Sequence, residues 1–321
     1  MQAGDWVEVR GPAEIAETLD AEGTLDGLPF MPEMAEFCGR RMRVVRQAGK
    51  VCVEYPGVVY QMRVIRHDDA VILETRCSGA GHDGCGRACV LLWKEAWLRK
   101  AEEPWETAAI HPIAKQTLIA GLRTITASGR YICQSTELER ATEPLTRWQV
   151  IARCVSDVVR GNRGLFEMMR MVIVPVLRYF IIERLERPIR VGALRRTPVG
   201  SLNLQPGELV RIKPEGEIVQ TLDAQARNRG LSCDRGMRTY CGGEFRVVGR
   251  LDKMISESSG EMRKVDGTVI LEGLHCMCWW NHVGGCSRQD YMYWREAWLE
   301  RTNEAAGGTP QPAAGTPSAM R

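Results

Sequence analysis

A chain of 321 residues that is 44% hydrophobic and 26% charged has the composition of a globular protein, and that length suits about two or three domains. Its 43 basic and 40 acidic side chains leave a formal charge of only +3, so no overall field favours binding to nucleic acid or to an anionic membrane. The N-terminal stretch "MQAGDWVEVRGPAEI" carries acids early and lacks the apolar core of a signal peptide. We therefore predict a cytoplasmic protein.

Residues 4–100 predict a small β-rich module. The stretch "WVEVR" alternates as a strand does, "PAEIAETLD" has the spacing of a short helix, and "PEMAEFCG" reads as a helical turn that ends at Gly39. Short strands rich in β-branched residues follow at "RMRVVR", "YQMRVIR" and "AVILET". Short strands with small helical inserts are typical of a compact, SH3-like barrel.

The region 101–206 predicts helices instead. Two segments have helical periodicity, "RWQVIARCVSDVVRG" and "GLFEMMRMVIVPVLRYFIIERLER". Arg170 and Arg178 interrupt the apolar stretch at 168–182, which leaves runs well below the ~20 residues that span a bilayer. We predict no transmembrane span and a core helix packed between two modules. Peripheral membrane contact through 168–182, or contact with a protein partner, is the alternative.

The chain also contains two similar stretches about 200 residues apart. Residues 7–20, "VEVRGPAEIAETLD", match residues 210–223, "VRIKPEGEIVQTLD", at an offset of 210 − 7 = 203. Near the other end of each stretch, "WKEAWL" from position 93 matches "WREAWL" from position 294. Self-similarity of this kind predicts two related modules, with the small indels in loops.

The predicted fold class is therefore α+β, with two small SH3-like β-barrel modules that flank an α-helical middle region. The domain boundaries are 4–100 for the first cysteine-rich module, 101–206 for the helical region and 207–301 for the second module. Residues 302–321 are rich in small residues, proline and glycine, which predicts a disordered tail.

Twelve cysteines in a reducing compartment predict thiolate metal ligands and buried thiols rather than disulfides. The candidate donors are Cys38, Cys52, Cys77, His82, Cys85 and Cys89 in the first module, and Cys233, Cys241, His275, Cys276, Cys278, His282 and Cys286 in the second. The duplication sorts them, because Cys38 matches Cys241 and Cys85 matches Cys286.

Zinc suits this donor set, since thiolate sulfur and imidazole nitrogen are its usual ligands. The stretch "HDGCGRAC" also places glycines where the backbone must wrap tightly around an ion. The predicted first site consists of Cys77, Cys85 and Cys89, completed by His82 or Cys38. The predicted second site consists of Cys276, Cys278, His282 and Cys286, with Cys241 retained as the counterpart of Cys38. The alternatives are buried or redox-sensitive thiols and a catalytic cysteine.

Common catalytic motifs are missing from the sequence. It has no P-loop, no dinucleotide fingerprint, no HExxH and no GxSxG, so no catalytic residue and no site for an organic cofactor is predicted. Asp83 and Glu95 are the acids nearest to the first predicted site. Trp279 and Trp280 lie in a short polar loop of the second module, where they predict an exposed recognition surface.

The motifs "GLPFMPEMAEFCG", "GHDGCGRAC" and "WKEAWL" together resemble a pattern found in uncharacterised, cysteine-rich bacterial proteins, some of them placed among biosynthetic or polysaccharide genes. The resemblance covers the first module best, and the second module departs from it at "LSCDRGMRTYCG". It implies a bacterial, non-secreted accessory protein and carries over no catalytic residue.

Three functional hypotheses follow. The first is an accessory protein with two zinc-stapled modules that binds a protein or small-molecule partner in a biosynthetic pathway, where two linked sites gain affinity through effective concentration. The second is a metal-dependent tailoring enzyme with a Cys/His-ligated site. Nucleic-acid binding is the weakest, because the predicted strands carry no run of basic and aromatic residues.

Overall fold

The computed structural model describes residues 1–56, 59–102, 112–177, 191–200, 202–276, 278 and 285–302. It is a mixed α+β structure built mostly from antiparallel sheets. The chain divides into two compact units. Unit 1 comprises residues 1–177, 255–263 and 277–290, and unit 2 comprises residues 178–254, 264–276 and 291–321. The predicted tail lies outside the described residues.

The elements up to residue 177 all belong to unit 1. In chain order they are β1 (Trp6–Val9), α1 (Pro12–Ala16), β2 (Thr24–Leu25), β3 (Leu28–Pro29), a 3-10 helix (Pro32–Phe37), β4 (Arg41–Gln47), β5 (Val51–Tyr55), β6 (Val59–Ile65), a 3-10 turn (Arg66–Asp68), β7 (Ala70–Arg76), β8 (Val90–Lys94), a 3-10 turn (Glu95–Trp97), β9 (Leu98–Lys100), α2 (Pro112–Gly121), β10 (Thr142–Pro144), α3 (Arg147–Val159) and α4 (Leu165–Leu177).

The later elements begin beyond residue 200. They are β11 (Leu209–Ile212), α5 (Glu215–Val219), β12 (Arg227–Asn228), β13 (Leu231–Ser232), α6 (Arg235–Arg238), β14 (Glu244–Arg250), β15 (Lys253–Ile255), β16 (Met262–Lys264), β17 (Thr268–His275), β18 (Tyr291–Arg295), a 3-10 turn (Glu296–Trp298) and β19 (Leu299–Arg301).

Each unit contains one curled, five-stranded sheet. The strand order is β8-β7-β4-β1-β9 in unit 1 and β18-β17-β14-β11-β19 in unit 2, and the paired strands are antiparallel. The register of the first sheet shifts between Val44 and Arg46, and that of the second shifts between Val247 and Gly249. The two sheets therefore share their strand order and the place of an irregularity.

Unit 1 also contains a separate three-stranded sheet. Strands β5 and β6 form a hairpin, and β10 adds to the β6 side of it. The strand that "YQMRVIR" predicts in the first module corresponds to β6, which lies in this separate sheet.

The repeated hexapeptide supplies the tryptophans of both cores. Trp97 is fully buried and its indole N–H donates to the Thr18 hydroxyl at 3.0 Å. Trp298 is likewise buried and donates to Thr221 at 2.9 Å. Each pair ties the 3-10 turn after β8 or β18 to the residues just beyond α1 or α5. The hexapeptide therefore serves packing, and each buried indole finds the hydrogen-bond acceptor that it needs.

Helices α3 and α4 differ from the core helix that the sequence predicts. α3 begins with a capping box in which the Thr146 hydroxyl accepts from the backbone N–H of Gln149. Its inner side buries Cys154 and Asp157, but Trp148 is 81% exposed and Phe166 of α4 is 78% exposed. Within the described residues, no helix combines the length and apolar character that a bilayer crossing requires; positions 178–182 of the apolar stretch fall outside them.

A Trp97→Ala substitution tests the packing role of the hexapeptide. Removing a fully buried indole is expected to lower the free energy of unfolding by about 3–5 kcal/mol, measured by urea denaturation. The matched control is Trp148→Ala, for which an exposed site predicts a change within about 0.5 kcal/mol. Equal effects of the two substitutions would contradict the assignment of Trp97 to the core.

Candidate metal centre

Three cysteines that are far apart in the sequence meet in unit 1. Cys52 lies on strand β5, and Cys278 and Cys286 come from the segment 277–290. Their sulfur atoms all lie within 4.8 Å of one another, and the sulfurs of Cys52 and Cys278 are 3.6 Å apart. Two sulfurs on one tetrahedral zinc ion at about 2.3 Å would be about 3.8 Å apart. This group could hold a metal ion.

The backbone positions the three sulfurs. Cys278 has a positive φ of 53°, which non-glycine residues rarely adopt and which fixes the direction of its side chain. The sulfur of Cys286 accepts the backbone N–H of Cys52 at 3.3 Å. Next to it, the backbone N–H of Ser287 donates to the Lys50 carbonyl at 2.7 Å. The segment after Cys286 is thus hydrogen-bonded to the beginning of the β5 hairpin.

The pKa values of Cys286 and Cys52 are shifted in opposite directions. Hydrogen bonds from the thiols of Cys278 and Cys52 hold the pKa of Cys286 well below its ordinary value, despite burial, and the Arg288 guanidinium adds to this. For Cys52, the bond from Cys278 lowers the pKa, but donation to Cys286 and burial outweigh it and raise the pKa. A lowered pKa at Cys286 favours metal binding, because the thiolate is the form that binds a metal.

A buried ion-pair network surrounds the group. Arg288 donates to the Cys52 carbonyl at 3.0 Å and pairs with Glu257 at 2.6 Å and with Asp290 at 2.6 Å. Glu257 also pairs with Arg87 at 2.7 Å. Burial alone would raise the pKa of Glu257, but the two guanidiniums hold it below its ordinary value. The charges of the two guanidiniums and the two carboxylates therefore cancel, and their ion pairs hold Arg288 beside the sulfurs.

The predicted ligands fall into several environments. Cys278 and Cys286 belong to the group, whereas His282 lies outside the described residues. Cys38 is buried in the core of unit 1, where burial raises its pKa to about 11. Cys241 packs half-buried against the core of unit 2, and Cys276 directly follows β17 in the same unit. The tryptophans of the predicted recognition loop, at 279 and 280, are outside the described residues.

His82 has other partners in the structure. Its Nδ1 lies 2.8 Å from a carboxylate oxygen of Glu33, and its Nε2 lies 2.8 Å from the carbonyl oxygen of Ile132. Burial lowers the pKa of His82, but the bond to Glu33 outweighs it and raises the pKa above the ordinary value. Both ring nitrogens of His82 therefore already have polar partners and are not directed at a metal ion in this arrangement.

Cys77, Cys85 and Cys89 line a small cavity of their own in unit 1, together with Cys133. Burial raises the pKa of Cys77 and raises that of Cys89 to about 12. The acids near this loop are already engaged: Asp83 accepts from the Tyr131 hydroxyl, and Glu95 pairs with the N-terminal ammonium group.

Cys52 is among the candidate donors but not among the predicted ligands. The comparison of the two halves does not select it, because position 52 + 203 = 255 is Ile255 and Cys52 has no counterpart. The second half has strand β15 (Lys253–Ile255) at the matching place, with an isoleucine in the position of the cysteine. Comparison with family models, curated proteins and solved structures found no match, so the resemblance to bacterial cysteine-rich proteins stays a prediction.

A Glu257→Gln substitution tests the ion-pair network. The glutamine leaves two buried guanidiniums without their shared carboxylate, and breaking such a pair costs about 3–5 kcal/mol. Urea denaturation is expected to show a loss of that size. Glu261, whose side chain is 69% exposed on the same loop, gives the matched control Glu261→Gln, and a comparable loss there would contradict the role of Glu257.

Proposed function

We propose that this chain is a metal-stapled accessory protein in which Cys52, Cys278 and Cys286 supply three of the four ligands of one structural zinc ion, and which binds a protein or small-molecule partner. The observation that carries the proposal is the convergence of three thiols from sequence-distant segments on one point. Zinc is preferred because thiolate ligands suit it and because structural sites of this kind bind it without redox chemistry.

The surroundings favour a staple over a catalytic metal. Cys286 and the side chains of Arg288 and Glu257 are buried, and a catalytic zinc site needs an open position with an acid or base beside it. Glu257 is held between two guanidiniums, and Lys50 pairs with Asp157 at 3.2 Å. Among the described residues around the group, these charged side chains are occupied with one another and are poorly placed to exchange protons with a substrate.

The two similar sheets support a duplication of SH3-like modules. The strand order, the position of the register shift and the tryptophan–threonine pair recur in both units, at positions that the sequence offset relates. Thr18 and Thr221 differ by 221 − 18 = 203, which is the offset of the matching sequence stretches. A cytoplasmic location and a role beside bacterial biosynthetic enzymes follow from the sequence and its resemblance, and they complete this proposal.

Exposed apolar side chains support a binding role. Trp148 and Phe166 stand out from α3 and α4, and Val159 is 78% exposed at the end of α3. Large exposed apolar side chains of this kind are enriched at sites where a protein binds a partner. The overall charge of +3 and the apolar character of these helices favour a protein partner over nucleic acid.

A Cys52→Ser substitution tests the staple. The zinc content of the purified full-length chain, measured by elemental analysis, is expected to fall by one ion per chain. The melting temperature should fall with it, because a bound ion at 100 times its Kd stabilises the folded state by about 2.7 kcal/mol. A chelator should lower the melting temperature of the wild type more than that of the variant.

The matched control is Cys233→Ser, since Cys233 is a buried thiol of unit 2 whose pKa burial raises to about 12. It should keep the full zinc content. Unchanged zinc in Cys52→Ser would contradict the proposal. A redox-active or rapidly exchanging metal in the wild type would favour the tailoring enzyme instead.

A further inference from the structure

The loop "CSGAGHDGCGRAC" begins and ends at neighbouring positions. Arg76 of β7 pairs with Val90 of β8, and beyond that pair the backbone N–H of Cys77 donates to the Cys89 carbonyl at 2.8 Å. Cys77 and Cys89 therefore stand opposite each other at the end of a hairpin, where facing side chains lie close together.

The same loop folds back so that Cys85 lies against Gly79, near the start of the loop. Gly79 has a φ of +71°, and a Cβ atom there would lie 2.1 Å from the Cys85 carbonyl oxygen. The backbone N–H groups of His82 and Gly84 both donate to the Gly79 carbonyl, at 3.0 and 2.8 Å. Only glycine permits this close approach, and it brings a third cysteine to the hairpin end.

A fourth cysteine, Cys133, lies in the turn that covers the edge of β8. The Gln134 side chain donates to the Leu92 carbonyl at 2.8 Å and accepts the Leu92 N–H at 2.8 Å, so it substitutes for a neighbouring strand. Its neighbour Cys133 is held by a bond from its N–H to the Thr136 hydroxyl at 3.0 Å. This turn places Cys133 beside the hairpin end.

The four cysteines line one cavity of about 30 Å³, together with the thioether of Met31. A single water needs about 10–15 Å³, so the cavity has room for one ion.

Polar groups around the cavity suit thiolate ligands. The backbone N–H of Ile255 donates to the Cys85 sulfur at 3.4 Å, and the Ser135 hydroxyl donates to the Cys89 sulfur at 3.5 Å. The guanidinium of Arg87 also lines the cavity. Hydrogen bonds to ligand sulfurs and a nearby cation are the interactions that hold a negatively charged metal–thiolate centre.

We propose that this cavity is a second zinc site, with Cys77, Cys85, Cys89 and Cys133 as its four ligands. Binding converts four thiols and Zn²⁺ into a tetrathiolate centre of charge −2 and releases four protons to solvent, and Arg87 offsets part of that charge. Within the described residues no three of these four sulfurs lie within 4.8 Å of one another. Coordination therefore turns cysteine side chains between staggered χ1 rotamers.

His82 acts as a positioning residue in this site. Its bonds to Glu33 and to the Ile132 carbonyl connect the loop to the 3-10 helix and to the residue before Cys133. Cys38 lies in the core of unit 1 and takes no part. Cys133 is thus the fourth ligand, for which the sequence predicts His82 or Cys38.

Zinc counting on full-length variants tests the site. The wild type should carry two zinc ions per chain. Cys133→Ser should carry one and should retain it when a chelator removes weakly bound metal. The double variant Cys52→Ser with Cys133→Ser should carry none. Cys38→Ser, at a buried cysteine of the same unit, is the matched control and should keep both ions. Retention of both ions in Cys133→Ser, or loss of one in Cys38→Ser, would overturn the ligand assignment.

Cobalt substitution keeps the test independent of variant folding. In the wild type loaded with Co²⁺, the intensity of the sulfur-to-cobalt charge-transfer band should correspond to seven cobalt–thiolate bonds, three at Cys52, Cys278 and Cys286 and four at this site. An intensity for three bonds would overturn the second site and leave the first intact. An intensity for four bonds, kept in Cys52→Ser, would overturn the first site and leave the second.

Discussion

The convergence of Cys52, Cys278 and Cys286 is the constraint on which this account of the protein depends. Cys52 and Cys278 are separated by 226 positions in the chain, yet their sulfurs lie 3.6 Å apart. Closing a long loop costs entropy that grows only slowly with its length, so one ion at this point can fix the segment 277–290 against the β5 hairpin. The buried pairs of Arg288 hold the backbone in place around it.

Much of the fold follows from local sequence patterns. The alternation of "WVEVR", the β-branched strands and the hexapeptide "WKEAWL" predict the sheet and its tryptophan core, because these signals depend on residues that are close in the chain. The matching stretches at an offset of 203 predict two similar sheets, and two sheets of equal strand order are present. Helices α3 and α4 are also predicted, although their exposed faces are not, since periodicity does not reveal what covers a helix.

The metal centre could be predicted only in part, and the reason is physical. Comparing the two halves identifies donors that both halves share, but Cys52 lies where the second half has Ile255. Its partners come from a segment more than 200 positions away, and no local pattern encodes that contact. The role of His82 also depends on a distant residue, since Glu33 occupies its Nδ1. The clustered cysteines of the loop at 77–89 are visible in the sequence. Cys133 is not, because it lies beside that loop only through the contact of its neighbour Gln134 with the edge strand β8.

Two thiolate centres in unit 1 would give a small β-rich protein rigidity around surfaces that remain free to bind a partner. Anomalous diffraction from crystals of the zinc-loaded full-length chain, recorded at the zinc absorption edge, tests this most directly. We expect a peak at about 2.3 Å from the sulfurs of Cys52, Cys278 and Cys286. A zinc-loaded crystal with no peak at those sulfurs, or with zinc held only by surface carboxylates, would contradict the account.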